Sequence, residues 1–123
     1  MASNITILCV DDEETPRTLR KLILQKQGYR VITAASGAEA LEMLDRTSIN
    51  LVLSDQMMPG MTGTELTKSV KAARPAMPVI LISGVNEIPA DAGYADRFVS
   101  KIAGPELLFS TVAEVLKANG HIR

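Results

Sequence analysis

The sequence predicts an α/β protein in which a doubly wound, five-stranded parallel sheet lies between two layers of helices. Five short runs of apolar and β-branched residues alternate with amphipathic helical patterns along the 123 residues. Two of these runs, at residues 51–54 and 78–83, are continuously apolar, as strands covered on both faces should be. Because βα crossovers are right-handed, such a chain builds one sheet with helices on both faces, a three-layer α/β/α architecture.

Size and charge narrow the class of protein further. At 123 residues the chain is long enough to bury a core, and we expect residues 1–123 to form a single domain. Thirteen basic residues against fourteen acidic residues give no reason to expect a nucleic-acid or membrane partner. The single cysteine, Cys9, lies in an apolar run without a disulfide partner, and the sequence shows neither a signal peptide nor a membrane span. We therefore expect a cytoplasmic protein.

The first two βα units are clearly patterned. A strand at residues 4–10 leads into an acidic loop, and Thr15 and Pro16 are typical of a helix cap and a first helical position. A second strand is predicted at residues 29–34, after which Ser36 caps the second helix. The inward faces of these two helices are predicted to be Leu19, Leu22 and Ile23 in the first, and Ala38, Leu41 and Leu44 in the second.

The remaining units follow the same alternation. The third strand, residues 51–54, ends in a turn, and Thr62 and Glu65 have the spacing of a capping box at the start of the third helix. Residues 86–96 carry a weak pattern that allows at most a short helix. The fifth strand is predicted at residues 97–100, and the buried faces of the third and last helices are predicted to be Leu66, Val70 and Ala73, and Leu108, Val112, Val115 and Leu116.

The predicted strand order is 2-1-3-4-5, that of a flavodoxin-like sheet. This order places a switch point between the first and third strands, where open α/β sheets bind their ligands. Asp11 and Asp12 follow the first strand and Asp55 follows the third, so all three open onto one crevice. Ser83 and Lys101 end the next two strands along the same rim.

Three carboxylates in one crevice call for a cation, because like charges at close range resist joint ionisation. Carboxylate, carbonyl and water ligands favour Mg²⁺ over zinc or copper. A cation would offset the repulsion between Asp55 and an incoming phosphoryl group, and carboxylates do form aspartyl phosphates. Lys101 and the hydroxyl of Ser83 are placed to balance charge on the transferred group. The sequence therefore predicts a phosphoryl-transfer site in this crevice.

Four motifs, spread in order over essentially the whole chain, resemble the receiver domain of two-component response regulators of the CheY-like superfamily. They are Asp11-Asp12, Asp55 followed by the turn at residues 58–63, Ser83-Gly84, and Phe98 three residues before Lys101. The resemblance implies a role for each: Asp55 as phosphoacceptor; Asp11, Asp12, Asp55 and the backbone carbonyl of Met57 as Mg²⁺ ligands; Ser83 as switch hydroxyl; Phe98 as switch aromatic; Lys101 as the cation paired with the phosphate.

The same resemblance implies partners. The phosphoryl donor would be a phosphohistidine on a sensor histidine kinase or a histidine phosphotransfer protein. The chain would be a signalling phosphoacceptor that assists its own phosphorylation and dephosphorylation, not an enzyme. Its output would pass through the face made by the fourth helix, fifth strand and fifth helix to a downstream protein or a linked output domain, with a weak homodimer as a further option. Residues 56–59 and 83–84 resemble receivers joined to hybrid kinases.

Two departures from the family pattern fall after the fourth strand. Family members usually have a proline, often in a cis bond, where this chain has Ile102, and a cis bond at a non-proline residue costs about 2.5–4 kcal/mol. We therefore predict a trans bond between Lys101 and Ile102. The connection from Ser83 to Lys101 is also shorter than usual by roughly one helical turn. We expect the fourth helix to be short or irregular.

Three alternative functions remain open from sequence. The chain could be a docking module of the same fold that works without phosphorylation. It could be a Mg²⁺-dependent phosphatase, although such enzymes typically carry an acid at the position of Met57. A flavodoxin-type nucleotide binder is disfavoured by the acidic first loop. The other conspicuous residues have plainer interpretations: Met57, Met58 and Met61 as gap-filling side chains, Glu13 and Glu14 as charges of the first helical turn, and His121 as a tail residue without a role.

Overall fold

The computed structural model describes residues 4–84 and 92–121. Strands and helices alternate in chain order with bounds close to those predicted. The strands are β1 (Thr6–Val10), β2 (Arg30–Ala34), β3 (Leu51–Asp55), β4 (Val79–Ser83) and β5 (Arg97–Ser100). The helices are α1 (Glu14–Lys26), α2 (Gly37–Arg46), α3 (Gly63–Ala73) and, after β5, α4 (Pro105–Ala118), with a 3₁₀ turn at Ala92–Tyr94.

The sheet has the predicted order β2-β1-β3-β4-β5, and every neighbouring pair is parallel. Val10 of β1 is level with Ser54 of β3, and Asp55 is level with Ile82 of β4. In turn, Ser83 is level with Ser100, the last residue of β5. The carboxyl ends of β1, β3, β4 and β5 therefore meet along one edge, which confirms the predicted fold class.

Two apolar cores separate the sheet from its helices. Helices α1 and α4 cover one face, where Leu24, Val112 and Leu116 pack against Cys9 and Leu53. Helices α2 and α3 cover the other, with their buried residues Ala40, Leu44, Leu66 and Val70 against Leu8, Val52 and Leu81. β1, β3 and β4 are buried along their whole length, in keeping with their largely apolar sequences.

The predicted start of the first helix and two of its three predicted inward residues are wrong, whereas the third, Ile23, packs against the core. α1 begins at Glu14 with Glu13 as its N-cap, each two residues before the predicted first residue Pro16 and the predicted cap Thr15. Leu19 and Leu22 are 58% and 51% exposed, whereas Leu24 is fully buried. Two sets of apolar residues compete at helical spacing in this segment, and the set that lies inward includes a charged residue one turn before Leu24. Because that residue, Arg20, is charged, the buried side of the helix does not show as an apolar stripe in the sequence.

Two alanines assigned to the core are also exposed. Ala38 of α2 and Ala73 of α3 lie on the solvent side, while Leu44 and Val70 are buried as predicted. Alanine is small enough to sit on either side of a helix at little cost, so it marks a face poorly. The predicted cap at Ser36 and the capping box at the start of α3 are both confirmed.

The end of the connection between β4 and β5, residues 92–96, is held against α3. Within the described residues it contains a 3₁₀ turn, Ala92–Tyr94, in place of a regular helix; residues 86–91 of the segment predicted to be irregular lie outside the described ranges. Lys71 Nζ lies 2.8 Å from Asp96 Oδ2, which also accepts a 2.7 Å hydrogen bond from the Val79 amide. Lys68 Nζ lies 5.3 Å from the centre of the Tyr94 ring, in a cation–π geometry.

The segment that follows β5 bears out the prediction about its peptide bond. No cis bond occurs among the described residues, so Lys101 and Ile102 are joined in trans. Ile102 is 85% exposed. α4 begins at Pro105, directly after its N-cap Gly104. In residues 4–84 and 92–121, no helix combines the length and apolar character needed to cross a membrane.

Candidate functional site

Three carboxylates meet at the carboxyl edge of the sheet, as the strand order predicted. Asp11 directly follows β1, Asp12 comes next, and Asp55 is the last residue of β3. One oxygen from each lies within 4.8 Å of the others. Asp11 and Asp55 are buried, whereas Asp12 is exposed. The crevice thus has two acids in its floor and one at its mouth.

Asp55 is an incompletely satisfied carboxylate. Burial of the side chain raises its pKa, and repulsion from Asp11 raises it further, while contact with Lys101 opposes both effects. Lys101 Nζ lies 3.1 Å from Asp55 Oδ1. In the part of the chain that the structure describes, this Oδ1 is a buried oxygen without a well-aligned hydrogen bond. An oxygen in that state is available to bind a cation or to form a new bond.

The turn after Asp55 fixes the position of this residue. The Gln56 amide donates a 2.8 Å hydrogen bond to Ile82 of β4, and the Gly63 amide donates one of 2.8 Å back to the Gln56 carbonyl. The buried side-chain oxygen of Gln56 accepts hydrogen bonds from both the amide and the hydroxyl of Thr64, each 2.9 Å long. A β-carbon on Gly63 would lie 2.6 Å from the Asp55 carbonyl oxygen. The turn is therefore closed tightly onto the backbone of the acid.

Sequence reasoning missed Arg20 and Arg17. Arg20 Nη1 lies 2.6 Å from Asp11 Oδ2, and Arg17 Nη1 donates a 2.8 Å hydrogen bond to the Asp11 main-chain oxygen. The other carboxylate oxygen of Asp11 accepts a 2.9 Å hydrogen bond from the Glu13 amide. The signal was present: two arginines three residues apart share one side of a helix that begins immediately after the acidic loop.

The remaining predicted site residues lie along the same edge. Ser83 is buried at the end of β4, and its carbonyl accepts a 2.9 Å hydrogen bond from the Lys101 amide. Phe98 of β5 is partly buried and packs against the core on the α2 and α3 side. The structure thus brings the acids, Ser83 and Lys101 to one edge, and it leaves the switch roles of Ser83 and Phe98 as predictions.

The methionines of the turn divide into two kinds. Met58 is buried and Met61 packs against the same core, so their interpretation as gap-filling residues is confirmed. Met57 is 51% exposed, and the gap-filling interpretation is wrong for this residue. It lies two residues after Asp55, where its side chain is turned toward solvent. His121 lies at the opposite edge of the sheet, where it lines a pocket together with Asn50 and Pro78.

The donor set fits a hard divalent cation. Every side-chain ligand offered is a carboxylate oxygen, and Mg²⁺ prefers oxygen ligands of this kind. The buried Asp55 Oδ1 has an unused acceptor position, which a cation or a phosphoryl group would fill. Among the described residues this cluster of possible ligands contains neither cysteine nor histidine, so it does not suit the softer transition metals.

Comparison with known proteins agrees with this geometry. The profile of the response regulator receiver domain family matches residues 7–113. The chain belongs to this family. Among curated relatives, the transcriptional regulatory protein GlrR of Escherichia coli is 35% identical over 116 residues, which are 90% of this chain and 26% of GlrR. The sensory transduction protein RegX3 of Mycobacterium tuberculosis is 33% identical over 119 residues, 94% of this chain and 52% of RegX3.

Another relative belongs to a different class of signalling protein. The sensor kinase CckA of Brucella abortus is 34% identical over 125 aligned residues, 95% of this chain and 13% of the kinase. The chain therefore spans between about one eighth and one half of the length of these three relatives. Receivers of this kind occur both in transcriptional regulators and in kinases.

Solved structures agree on the fold. The response regulator TrrA of Thermotoga maritima, in complex with Mg²⁺ and BeF, superposes with a TM-score of 0.86 at 32% identity and covers 91% of this chain and 99% of TrrA. A response regulator receiver domain protein of Clostridium thermocellum gives a TM-score of 0.86 at 28% identity, covering 93% of this chain and 95% of that protein. The chain is thus a response regulator receiver domain of the two-component type.

Proposed function

We propose that this receiver accepts a phosphoryl group on Asp55 from a phosphohistidine of a sensor histidine kinase or a histidine phosphotransfer protein. The observation that carries the proposal is the state of the Asp55 carboxylate. It is buried at the end of β3 with Oδ1 3.1 Å from Lys101 Nζ, and two further carboxylates lie within 4.8 Å. An incompletely satisfied acid held between a cation and other acids is poised for chemistry rather than for stability.

The reaction replaces one bond to phosphorus with another. An oxygen of Asp55 forms a bond to phosphorus while the phosphorus–nitrogen bond of the donor breaks, and the electron pair of that bond returns to the imidazole. The imidazole leaves as a neutral ring when its other nitrogen carries a proton. In the proposal, Lys101, which contacts Asp55 Oδ1, balances the charge that builds up on the transferred group, and Ser83, buried at the end of the neighbouring strand, supplies a hydroxyl donor.

A divalent cation belongs to this proposal. Asp11, Asp12, Asp55 and the main-chain carbonyl of Met57 would hold Mg²⁺. When bound, the cation offsets the charge repulsion between the Asp55 carboxylate and the incoming phosphoryl group. The residues themselves do the rest: the turn fixes Asp55, and Lys101 contacts Oδ1 of its carboxylate.

The signalling step uses the elements beside the site. In the proposal, a phosphoryl group on Asp55 draws the Ser83 hydroxyl and Lys101 toward its oxygens, and Phe98 changes its packing as the loop after β4 moves. The surface formed by that connection, β5 and α4 then binds a downstream protein or a linked output domain. Such a switch needs an element with two packings that a local charge can bias.

We also propose a setting for the domain. We propose residues 1–123 as a single receiver domain that acts in the cytoplasm as a phosphoacceptor and not as an enzyme with an external substrate. Its relatives place such domains in transcriptional regulators and in a sensor kinase, so both settings suit it. A weak homodimer through the output surface is compatible with either setting.

Intact-mass spectrometry tests the proposal. The protein is incubated with acetyl phosphate and Mg²⁺ and weighed, alongside Asp55→Asn and the control Asp45→Asn, which changes an exposed acid of α2. We expect one phosphoryl adduct on the wild type and on the control and none on Asp55→Asn. An adduct on all three proteins, or on none, would refute the assignment of Asp55.

A second function remains a candidate on one observation. Asp11 is already paired with Arg20, so the crevice is partly neutralised by the chain itself. A receiver that docks its partner without phosphorylation would retain partner binding in Asp55→Asn, whereas a phosphorylation-dependent receiver would lose the phosphodonor-induced change in affinity. The phosphatase alternative gains no support, since Met57 supplies no second acid.

A further inference from the structure

Arg20 occupies the acidic crevice. Its Nη1 lies 2.6 Å from Asp11 Oδ2, and the two side chains are only 15% and 2% exposed. A charge-assisted hydrogen bond between groups this well shielded is stronger than a surface ion pair. The pair joins α1 to the carboxyl edge of the sheet at the residue expected to bind a metal.

Both carboxylate oxygens of Asp11 are in use. Oδ1 accepts the 2.9 Å hydrogen bond from the Glu13 amide, and Oδ2 is in contact with Arg20. A divalent cation that binds Asp11, through Oδ2 or through Oδ1, must therefore share this carboxylate with the guanidinium or displace it. Sharing would bring two like charges together in a poorly solvated crevice, which is unfavourable.

The charge of Arg20 is also felt beyond Asp11. It is one of the positive groups that lower the pKa of Asp55, although burial outweighs it. Arg17, one turn earlier on α1, makes a different contact, because it binds the main-chain oxygen of Asp11 and leaves the carboxylate alone. The two arginines therefore differ in whether they occupy a ligand position.

We propose that Arg20 is a tethered competitor of the divalent cation. Its guanidinium neutralises the acids while the metal is absent, and it leaves Asp11 Oδ2 when the metal binds. Arg20 thereby sets the metal concentration at which the receiver becomes competent. The inference rests on the proposed function, because it takes the acid cluster to be the metal site.

The test is calorimetric titration of Mg²⁺ into the unphosphorylated protein, a method that needs no fluorophore in a chain without tryptophan. Three variants are compared with the wild type: Arg20→Gln, Arg20→Lys, and Arg17→Gln as the control with the same loss of charge on the same helix. We expect Arg20→Gln to tighten Mg²⁺ binding about tenfold, the equivalent of one charge-assisted contact. Arg17→Gln should change it by less than about threefold, the smaller effect of a nearby charge that occupies no ligand position. Arg20→Lys should fall between wild type and Arg20→Gln, because lysine keeps the charge but not the planar fork.

Three outcomes would overturn the inference: unchanged or weaker Mg²⁺ binding by Arg20→Gln, equal effects of Arg17→Gln and Arg20→Gln, or no detectable Mg²⁺ binding by any of the proteins. Circular dichroism of each variant at the titration temperature shows that the proteins compared are folded. The intact-mass experiment separates this failure from failure of the proposed function. If Asp55 is still phosphorylated while Arg20→Gln binds Mg²⁺ like wild type, the competition is refuted and the phosphoacceptor assignment stands.

Discussion

Gly63 should be the least replaceable glycine beside the site. It is the first residue of α3, and a β-carbon there would lie 2.6 Å from the Asp55 carbonyl oxygen, 2.8 Å from Leu81 Cδ2 and 3.0 Å from Gln56 Cα. Ordinary non-bonded contacts of carbon are about 3.5–4.0 Å, so the Gly63→Ala side chain needs a shift of roughly half an ångström or more. Two of the three neighbours are backbone atoms of the site, and the third is a fully buried core residue, so none can move alone.

The expected cost is that of overpacking a rigid region, about 1–3 kcal/mol of unfolding free energy. For a domain of this size, that lowers the melting temperature by about 3–10 °C. Gly37→Ala is the matched control, because Gly37 is likewise the first residue of a helix, α2, and its β-carbon would meet the side chain of Met61. That thioether is only partly buried and can rotate away.

Urea denaturation followed by circular dichroism measures both variants, and the phosphodonor assay then measures the rate of adduct formation. We expect Gly63→Ala to lose stability and to be phosphorylated more slowly, since relief of the clash displaces the backbone of Asp55. Gly37→Ala should stay within about 1 kcal/mol of wild type in either direction. Equal stability of the two alanine variants would show that the turn after β3 is not closed as tightly as described.

Three further predictions concern stability. Asp55→Asn should stabilise the protein at pH 7 by on the order of 1 kcal/mol, the scale of one incompletely satisfied buried polar group. Because the raised pKa of Asp55 means that the folded state disfavours the ionised form, this gain should vanish in urea titrations as pH falls below the ordinary carboxyl range. A loss of stability at pH 7 would contradict this expectation. On α1, Leu24→Ala should cost about 2–5 kcal/mol and Leu22→Ala less than about 0.5 kcal/mol, and the reverse order in thermal melts would mean that the helix packs in the other phase. Burial raises the pKa of Cys9 to about 11, so between about pH 9 and 11 only the unfolded state ionises its thiol. The free energy of unfolding should therefore fall across that window more in the wild type than in Cys9→Ala. Parallel pH profiles of stability for the two proteins would argue against a buried thiol.

Much of the fold was predictable because its signals are local. The continuous apolar runs of β3 and β4 indicate strands covered on both faces, and the right-handed crossovers place helices on both faces of one parallel sheet. The Thr62 capping box and the cap at Ser36 are decided within four residues of sequence. Strand ends shifted by one or two residues, as expected where pairing partners define them.

The orientation of α1 was not predictable in the same way. Leu19 and Leu22 outweigh Leu24 when apolar residues are counted, yet Leu24 is the buried residue, and Arg20 on its side of the helix pairs with Asp11 of a different element. A charged residue on an inward stripe is ordinarily evidence against that stripe. Here its partner is the acid after β1, which only the folded chain brings within reach.

The candidate site was likewise predictable only in part. Asp11, Asp12, Asp55 and Lys101 were expected together because the carboxyl ends of parallel strands share one edge. Gln56 was not expected, although its buried amide oxygen holds the first turn of α3 through Thr64. A glutamine after a strand carries no signal of its own, since its role depends on which amide the turn happens to place opposite it.

The most direct test of the central claim locates the phosphoryl group chemically. After incubation with acetyl phosphate and Mg²⁺, the protein is treated with borohydride, which reduces an acyl phosphate to an alcohol, and the digested peptides are sequenced by mass spectrometry. We predict homoserine at position 55, formed only when both the phosphodonor and Mg²⁺ are present. Homoserine at position 11 or 12 would contradict the account. So would a phosphoryl adduct elsewhere in a protein whose peptide containing residue 55 is unmodified.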